Sequence, residues 1–362
     1  MKLHAIKAEE GDCLLLETGE AQPRFILIDG GPPGTWDAVA GDYVRGVVGR
    51  TGTLDVVAVS HVDADHIVGV LDLFAEIERD RADGAATLSV KDLWHNSFAQ
   101  TVDTPEGEIG KGLQAVLDVA GAQQFAMPDA AISLFGIAEG ARLRRSATRL
   151  GIPINDAFGG GRISPSDLAD PVRVYGSMKL TVIGPTKQNL DQLRAAWLAW
   201  LATHGDRTAS PQALANADQS VPNLSSIVLL AEEGGKRMLL TGDARGDHIL
   251  QGLGASGLLR NGAIHLDVLK LQHHGSDRNA DRAFFEQVTA DVYVISANGK
   301  HGNPDEPTLT WLVEAARAQG RRPRILVTHH APSLDAFDAS HPPAQWNYEL
   351  KLAQGGAHVV EP

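Results

Sequence analysis

The 362-residue chain contains one cysteine, Cys13, so no internal disulfide can hold it together. Cys13 opens the apolar stretch Cys13-Leu14-Leu15-Leu16, which predicts a buried structural thiol rather than a nucleophile; such sparing use of cysteine fits a reducing cytoplasm. No run of eighteen apolar residues occurs, so no membrane-crossing helix is expected. The first ten residues lack an apolar signal core and carry Glu9 and Glu10, unlike a signal peptide. Positive charge is also scarce. Against 45 acidic residues stand 32 basic ones, a formal net charge of −13. Such a surface does not coat nucleic acid by bulk attraction, although a nuclease needs only a local positive rim and metal ions. The densest basic run is Arg142, Arg144, Arg145 and Arg149, which reads either as a solvated helix face or as that rim.

What is present is an ordinary folded composition, 43% hydrophobic and 21% charged, long enough for one large domain over 1–362. Short apolar runs predict strands at Leu3 to Ala8, Cys13 to Glu17, Phe25 to Ile28, Leu54 to Ser60 and Leu88 to Trp94. Further strands are expected at Lys179 to Ile183, Ser225 to Ala231, Lys236 to Leu240, Leu266 to Leu271, Val292 to Ile295 and Ile325 to Thr328. Ile67, Val70, Leu71, Phe74 and Ile77 recur at spacings of three and four, the mark of an amphipathic helix. Other helices are expected near Leu113 to Val119, Gln192 to Leu201 and Leu309 to Ala318. The weaker pattern from about 100 to 220 reads as an insertion or cap. The whole is an α/β chain whose β-runs, in both halves and with helices between, imply two sheets sandwiched by helices.

His61-Val62-Asp63-Ala64-Asp65-His66 puts four metal-ligand side chains into six residues at the turn from a buried strand into a helix. Singly, Asp65 could be a helix N-cap and His61 a loop residue. Together at a strand end, where α/β folds build sites, they predict divalent-cation binding. Two further strand ends carry complements: Thr241-Gly242-Asp243 and Gln272-His273-His274-Gly275-Ser276.

The series His-x-Asp-x-Asp-His, Thr-Gly-Asp and His-His-Gly-Ser, in that order, resembles the metallo-β-lactamase superfamily. Asp63 and the His-His-Gly-Ser ending resemble its ComEC-like branch, the hydrolase domain of DNA-uptake competence proteins. Gly11-Asp12, Asp29-Gly30-Gly31, Asn223 to Val228 and Ser296 to His301 match that branch too. The resemblance spans the core but leaves out roughly 100–215 and the tail after 330. It implies an αββα sandwich, with one metal on His61, Asp63 and Asp243 and another on Asp65, His66, Asp243 and His274, bridged by Asp243. Two departures stand out: Asp63 replaces the superfamily's usual histidine, and Asn223 lies where another histidine is usual. The first site is therefore oxygen-rich, which makes manganese as well as zinc a candidate for the one or two ions expected.

A metal-activated water would then attack phosphorus or a carbonyl carbon. Asp65, His273, Lys270, Asn298 and His301 are candidates for catalysis or for gripping a phosphate, with His95, Asn223 and the four arginines as substrate contacts. His273 could instead orient a ligand, Lys270 be a surface strand residue, and His301 a loop residue. His329, His330 and His341 read as incidental. The leading expectation is a cytoplasmic phosphodiesterase, most plainly a nuclease, with a nucleic-acid or other phosphodiester substrate and no membrane partner. The alternatives are a hydrolase of a small lactam, thioester or lactone, and a silent binding or scaffold protein.

Overall fold

A computed structural model describes residues 1–97, 130–204 and 225–362. Five strands open the chain: β1 (Lys2–Ile6), β2 (Leu14–Glu17), β3 (Phe25–Ile28), β4 (Val56–Val59) and β5 (Leu93–His95). Eight more follow: β6 (Val172–Tyr175), β7 (Met178–Gly184), β8 (Val228–Glu233), β9 (Lys236–Leu240), β10 (Ile264–Lys270), β11 (Val288–Ile295), β12 (Arg324–Val327) and β13 (Glu349–Leu352). The last strand, β14 (Ala357–Val360), returns to the first sheet beside β1. The first sheet has the order β14-β1-β2-β3-β4-β5 and the second β13-β12-β11-β10-β9-β8-β7-β6.

Alternation of side chains decides the layering. Val56 and Ala58 of β4 face the second sheet, together with Leu3, Ala5 and Ile26, and meet Leu180, Val182, Met238, Leu240, Val268 and Val292. Val57 and Val59 point the other way, onto α2 (Ala64–Ala82), through Ile67, Val70 and Phe74. The second sheet's outer face is covered in the same manner by α5 (Gly246–Ala255), α6 (Arg282–Gln287), α7 (Glu306–Ala318) and α8 (Pro332–Ser340). This is an αββα sandwich, two mixed sheets flanked by helices, the architecture the sequence led one to expect.

The sheets are antiparallel at one side and parallel at the other. β3-β4-β5 run parallel, as do β9-β10-β11-β12-β13. Parallel strands end at a common edge, so the loops after β3, β4, β9, β10 and β11 gather at one end of the sandwich.

Inside the expected insertion, the return strand is present as β7, and its edge partner β6 was not foreseen. Leu180 and Val182 of β7 belong to the core between the sheets. The helical expectation at Gln192 to Leu201 falls within α4 (Lys187–His204), whereas Leu113 to Val119 lies outside the described residues. The arginine run sits on α3 (Ala130–Leu150), whose Leu143 and Ala147 join the core with α2. Among the described residues, no helix is long and apolar enough to cross a membrane. Cys13 is fully buried, and burial pushes its thiol pKa up, in keeping with a structural role.

Candidate metal centre

The six expected ligands converge. His61, Asp63, Asp65 and His66 stand on the β4-α2 turn, Asp243 follows β9, and His274 follows β10. His66 Nε2 lies 3.3 Å from Asp243 Oδ1 and 3.8 Å from Asp65 Oδ2. His274 Nε2 lies 3.6 Å from the same Asp243 oxygen and 3.4 Å from Asp65 Oδ2. On the other side, His61 Nε2 lies 3.8 Å from Asp243 Oδ2 and 3.5 Å from Asp63 Oδ2.

Most of these spacings are too long for good hydrogen bonds. They match neighbouring donors on one cation, which sit about 3.4 Å apart in a tetrahedral shell with bonds of roughly 2.0–2.2 Å. Among the described residues, His61-His66-Asp243 and Asp65-His66-His274 each bring their donor atoms within 4.8 Å of one another.

The hydrogen bonds behind the cluster fix which ring nitrogen is bare. His66 Nδ1 is 2.9 Å from Asp29 Oδ2, and His274 Nδ1 is 2.8 Å from the Ser296 carbonyl, so each Nδ1 must donate. Ser60 Oγ gives its own proton to Asp29 Oδ2 at 2.7 Å, and therefore accepts from His61 Nδ1 at 3.1 Å. In the neutral imidazoles all three Nε2 atoms are then lone pairs aimed at carboxylates. They are buried without a hydrogen-bond partner, as is Asp243 Oδ1. Lone pairs do not face carboxylate oxygens in a dry pocket without a cation between them. The donor set thus fits one or two divalent ions.

Electrostatics agree. In the cation-free cluster, burial disfavours the Asp243 carboxylate, but His66, His274 and His273 outweigh it and hold Asp243 well below the usual range. Burial likewise works against charge on His274, but Asp243 and Asp12 outweigh it and raise its pKa to about 10. Protons on the histidines occupy the role a metal would take.

Backbone conformation delivers these side chains. His273 and His274 both have positive φ, 45° and 55°, and Asp29 has φ 58°. Left-handed non-glycine residues cost about 1–3 kcal/mol each and persist where surrounding structure enforces them. Gly11 shows the crowding: a Cβ there would meet the Asp65 carbonyl oxygen at 1.9 Å.

Several expectations need correction. Lys270 is fully buried behind His274, its ammonium 2.7 Å from Asp12 Oδ2 and 2.9 Å from the Leu271 carbonyl. It cannot reach substrate; its charge instead offsets Asp12, which in turn lies 3.5 Å from His274 Nδ1. His95 is also fully buried, with neither ring nitrogen hydrogen-bonded, and burial together with Arg144 depresses its pKa to about 3. A Cβ on Gly140 of α3 would touch its ring, so that helix covers His95 and blocks direct substrate contact.

Asn298 lies on the loop after β11, bonded to Glu9 at 3.0 Å, and His301 is exposed on the same loop. The arginines do not form one strip. Arg142 pairs with Glu139 at 3.4 Å and Arg149 with Glu78 at 2.8 Å, while half-buried Arg144 turns toward His95; Arg145 is exposed. Asn223 lies outside the described residues. His330 pairs with Asp335 and His341 stacks on Phe337, both remote in role from the cluster.

Sequence reasoning missed the supporting residues Ser60 and Asn279. It used Asp29, Asp12 and Ser296 only as parts of motifs. Nothing local signals their hydrogen-bonding roles, which arise from strand ends brought together across both sheets.

No protein-family model matches this sequence, and no curated protein matches it. Solved structures to which this chain is distantly similar include three. A "new diphosphatase from the PhnP family" shares 12% identity at a TM-score of 0.40, covering 99% of this chain and 97% of that one. A putative metal-dependent hydrolase from Parabacteroides distasonis shares 10% at 0.36, covering 97% and 92%. Zinc-bound PqqB from Methylobacterium extorquens shares 9% at 0.36, covering the full length of both. Likeness this distant says nothing of substrate or chemistry. The metal reading stands on the donors themselves.

Proposed function

We propose that this chain is a metal-dependent hydrolase acting on phosphodiesters, with nucleic acid as the leading substrate class. The observation that carries the reading is the set of three buried, tautomer-fixed Nε2 lone pairs converging on Asp243. Asp65, His66, His274 and Asp243 would hold one ion, and His61, Asp63 and Asp243 another, of the zinc or manganese type. When bound, such ions supply positive charge and Lewis acidity toward the substrate's oxygens and its attacking water.

The chain's own residues do the rest. Asp29, Ser60 and Ser296 lock the imidazoles in place, so the donors need no reorganisation when loaded. Asp65 keeps 27% of its side chain exposed, which leaves it within reach of an incoming water. Burial opposes its charge, but His66 and His274 outweigh this and bring its pKa to about 2. It is therefore ionised at neutral pH, the form in which a carboxylate holds a cation. The substrate class is supported by the ordered motifs. Asn298 and His301, on the loop that also supplies Ser296, are candidates for contacting the leaving group.

The test is a hydrolysis panel run with zinc, manganese and magnesium on single- and double-stranded DNA, RNA, bis(p-nitrophenyl) phosphate and nitrocefin. Metal-dependent cleavage of the phosphodiesters is expected. Turnover of nitrocefin alone would transfer the reading to carbonyl substrates, and absence of bound metal would end it.

A further inference from the structure

Asp243 divides its carboxylate between two sides. Oδ1 faces His66 and His274, while Oδ2 faces His61 at 3.8 Å and also His273, whose Nε2 lies 3.6 Å away. We propose that His273 is a direct metal ligand on the Asp63 side, locked in its ligating tautomer by Asn279. It would supply the nitrogen donor that the sequence otherwise lacks there. The inference rests on the metal reading above.

The tautomer follows from the hydrogen bonds. Asn279 Nδ2 donates to the Asp243 carbonyl at 2.9 Å, which fixes the orientation of its amide. Its Oδ1 is therefore the atom lying 2.6 Å from His273 Nδ1, and that nitrogen must donate. His273 Nε2 then carries a lone pair directed at Asp243 Oδ2, at a spacing too long for a hydrogen bond and suited to two donors on one cation. His61 Nε2 faces the same Asp243 oxygen at 3.8 Å.

The backbone is arranged for the same end. In extended chain, adjacent side chains diverge. Here consecutive left-handed residues His273 and His274 turn both rings toward Asp243, with centroids 5.9 Å apart. The His273 amide donates to the Gly242 carbonyl at 3.2 Å, which ties the turn to the Asp243 loop. His273 would thus join His61 on the Oδ2 side of Asp243, with Asp63 beside His61, opposite His66 and His274 on the Oδ1 side. Zinc or manganese accepts nitrogen and carboxylate oxygen donors together.

The experiment titrates zinc, and separately manganese, into the chelator-stripped full chain against a chromophoric chelator, with cobalt absorption as a second readout. Wild type should bind two ions. His273→Ala should keep the tight site at unchanged affinity and weaken the other at least tenfold, with added imidazole restoring its cobalt band. Asn279→Ala should weaken the same site by roughly 10–100-fold, as loss of a ligand's orienting partner does. Should His273→Ala fold poorly, His273→Gln decides on the same readouts. Two ions bound at wild-type affinity by the His273 variants would overturn the inference. So would a wild type that binds one ion, unaffected by His273→Ala, although the metal reading would then survive. A wild type that binds none overturns both.

Discussion

The two sides of Asp243 are built from the same residue types and differ in enclosure. On the His66 side, both imidazoles are almost wholly buried and each is held by a strong acceptor, Asp29 or the Ser296 carbonyl. On the His61 side, the orienting bond runs through a serine hydroxyl at 3.1 Å, and His273 keeps 29% of its side chain exposed where His274 keeps 4%; the carboxylates run the other way, Asp63 at 17% against Asp65 at 27%. Burial and a charged outer partner make a donor set rigid and its metal slow to leave. Exposure leaves room for substrate and makes the ion exchangeable. On the proposed metal reading, the His66 side would be the tighter anchor and the His61 side the more exchangeable one.

The largest effect expected on this comparison comes from removing the anchor. His66→Ala should abolish the tight site and lower phosphodiester kcat/KM by roughly 10³-fold or more. Lewis-acid stabilisation is several kcal/mol, and each 1.4 kcal/mol or so is tenfold. Metal analysis and turnover on bis(p-nitrophenyl) phosphate measure it, and near-wild-type turnover at matched metal content would refute the mechanism. His61→Ala should instead leave one ion bound and reduce activity less.

Next is the support beneath the anchor. Lys270→Met leaves Asp12 buried without its cation, and breaking a buried pair costs about 3–5 kcal/mol. Chemical denaturation should show that loss. An unchanged midpoint would mean that Asp12 is neutral without Lys270.

The pH response separates loaded from stripped protein. In the stripped chain the His274 pKa is raised from 6.5 to about 10, so its contribution is full below 6.5 and is lost as pH rises through about 10. Asp65 runs the other way. Its pKa falls from 3.8 to about 2, so its contribution is full above 3.8 and is lost as pH falls through about 2. Metal requires the unprotonated imidazole, so the loaded protein escapes the alkaline loss. The difference in Tm between loaded and stripped forms should widen as pH rises from 6.5 toward about 10. A constant difference would place the titration elsewhere.

The smallest effect concerns the arginines of α3. Changing Arg142, Arg144, Arg145 and Arg149 to Gln should flatten the salt dependence of long nucleic-acid cleavage and spare bis(p-nitrophenyl) phosphate, since only phosphate contacts contribute to that slope. Arg142 and Arg149 already pair with Glu139 and Glu78, and Arg144 is half-buried, so most of the change should follow Arg145. Equal loss on both substrates would make the run structural.

Much of this was legible along the chain. Val56 to Val59 leading into His61-Val62-Asp63-Ala64-Asp65-His66 shows in six letters a buried strand end loaded with ligands, because strand period, helix period and ligand chemistry are all local. Asp243 and His274 announced themselves in the same way, at the ends of apolar runs. Lys270 did not: an alternating strand gives no sign of which face will be closed by the opposite sheet, so a buried counterion to Asp12 looked like an available cation. His95 was misplaced for a similar reason, since only the packing of Gly140 over its ring takes it out of reach. Nor could spacing show that Asn279, six residues after His273, sets a tautomer, or that Asp29 holds His66 from a strand end 37 residues away. The sequence by itself determined the elements and the donors, because periodicity and side-chain chemistry act over a few residues. Only the tertiary structure decided which donors face one another, which nitrogen of each ring is bare and which side of the cluster stays open, because those depend on strand ends meeting across two sheets.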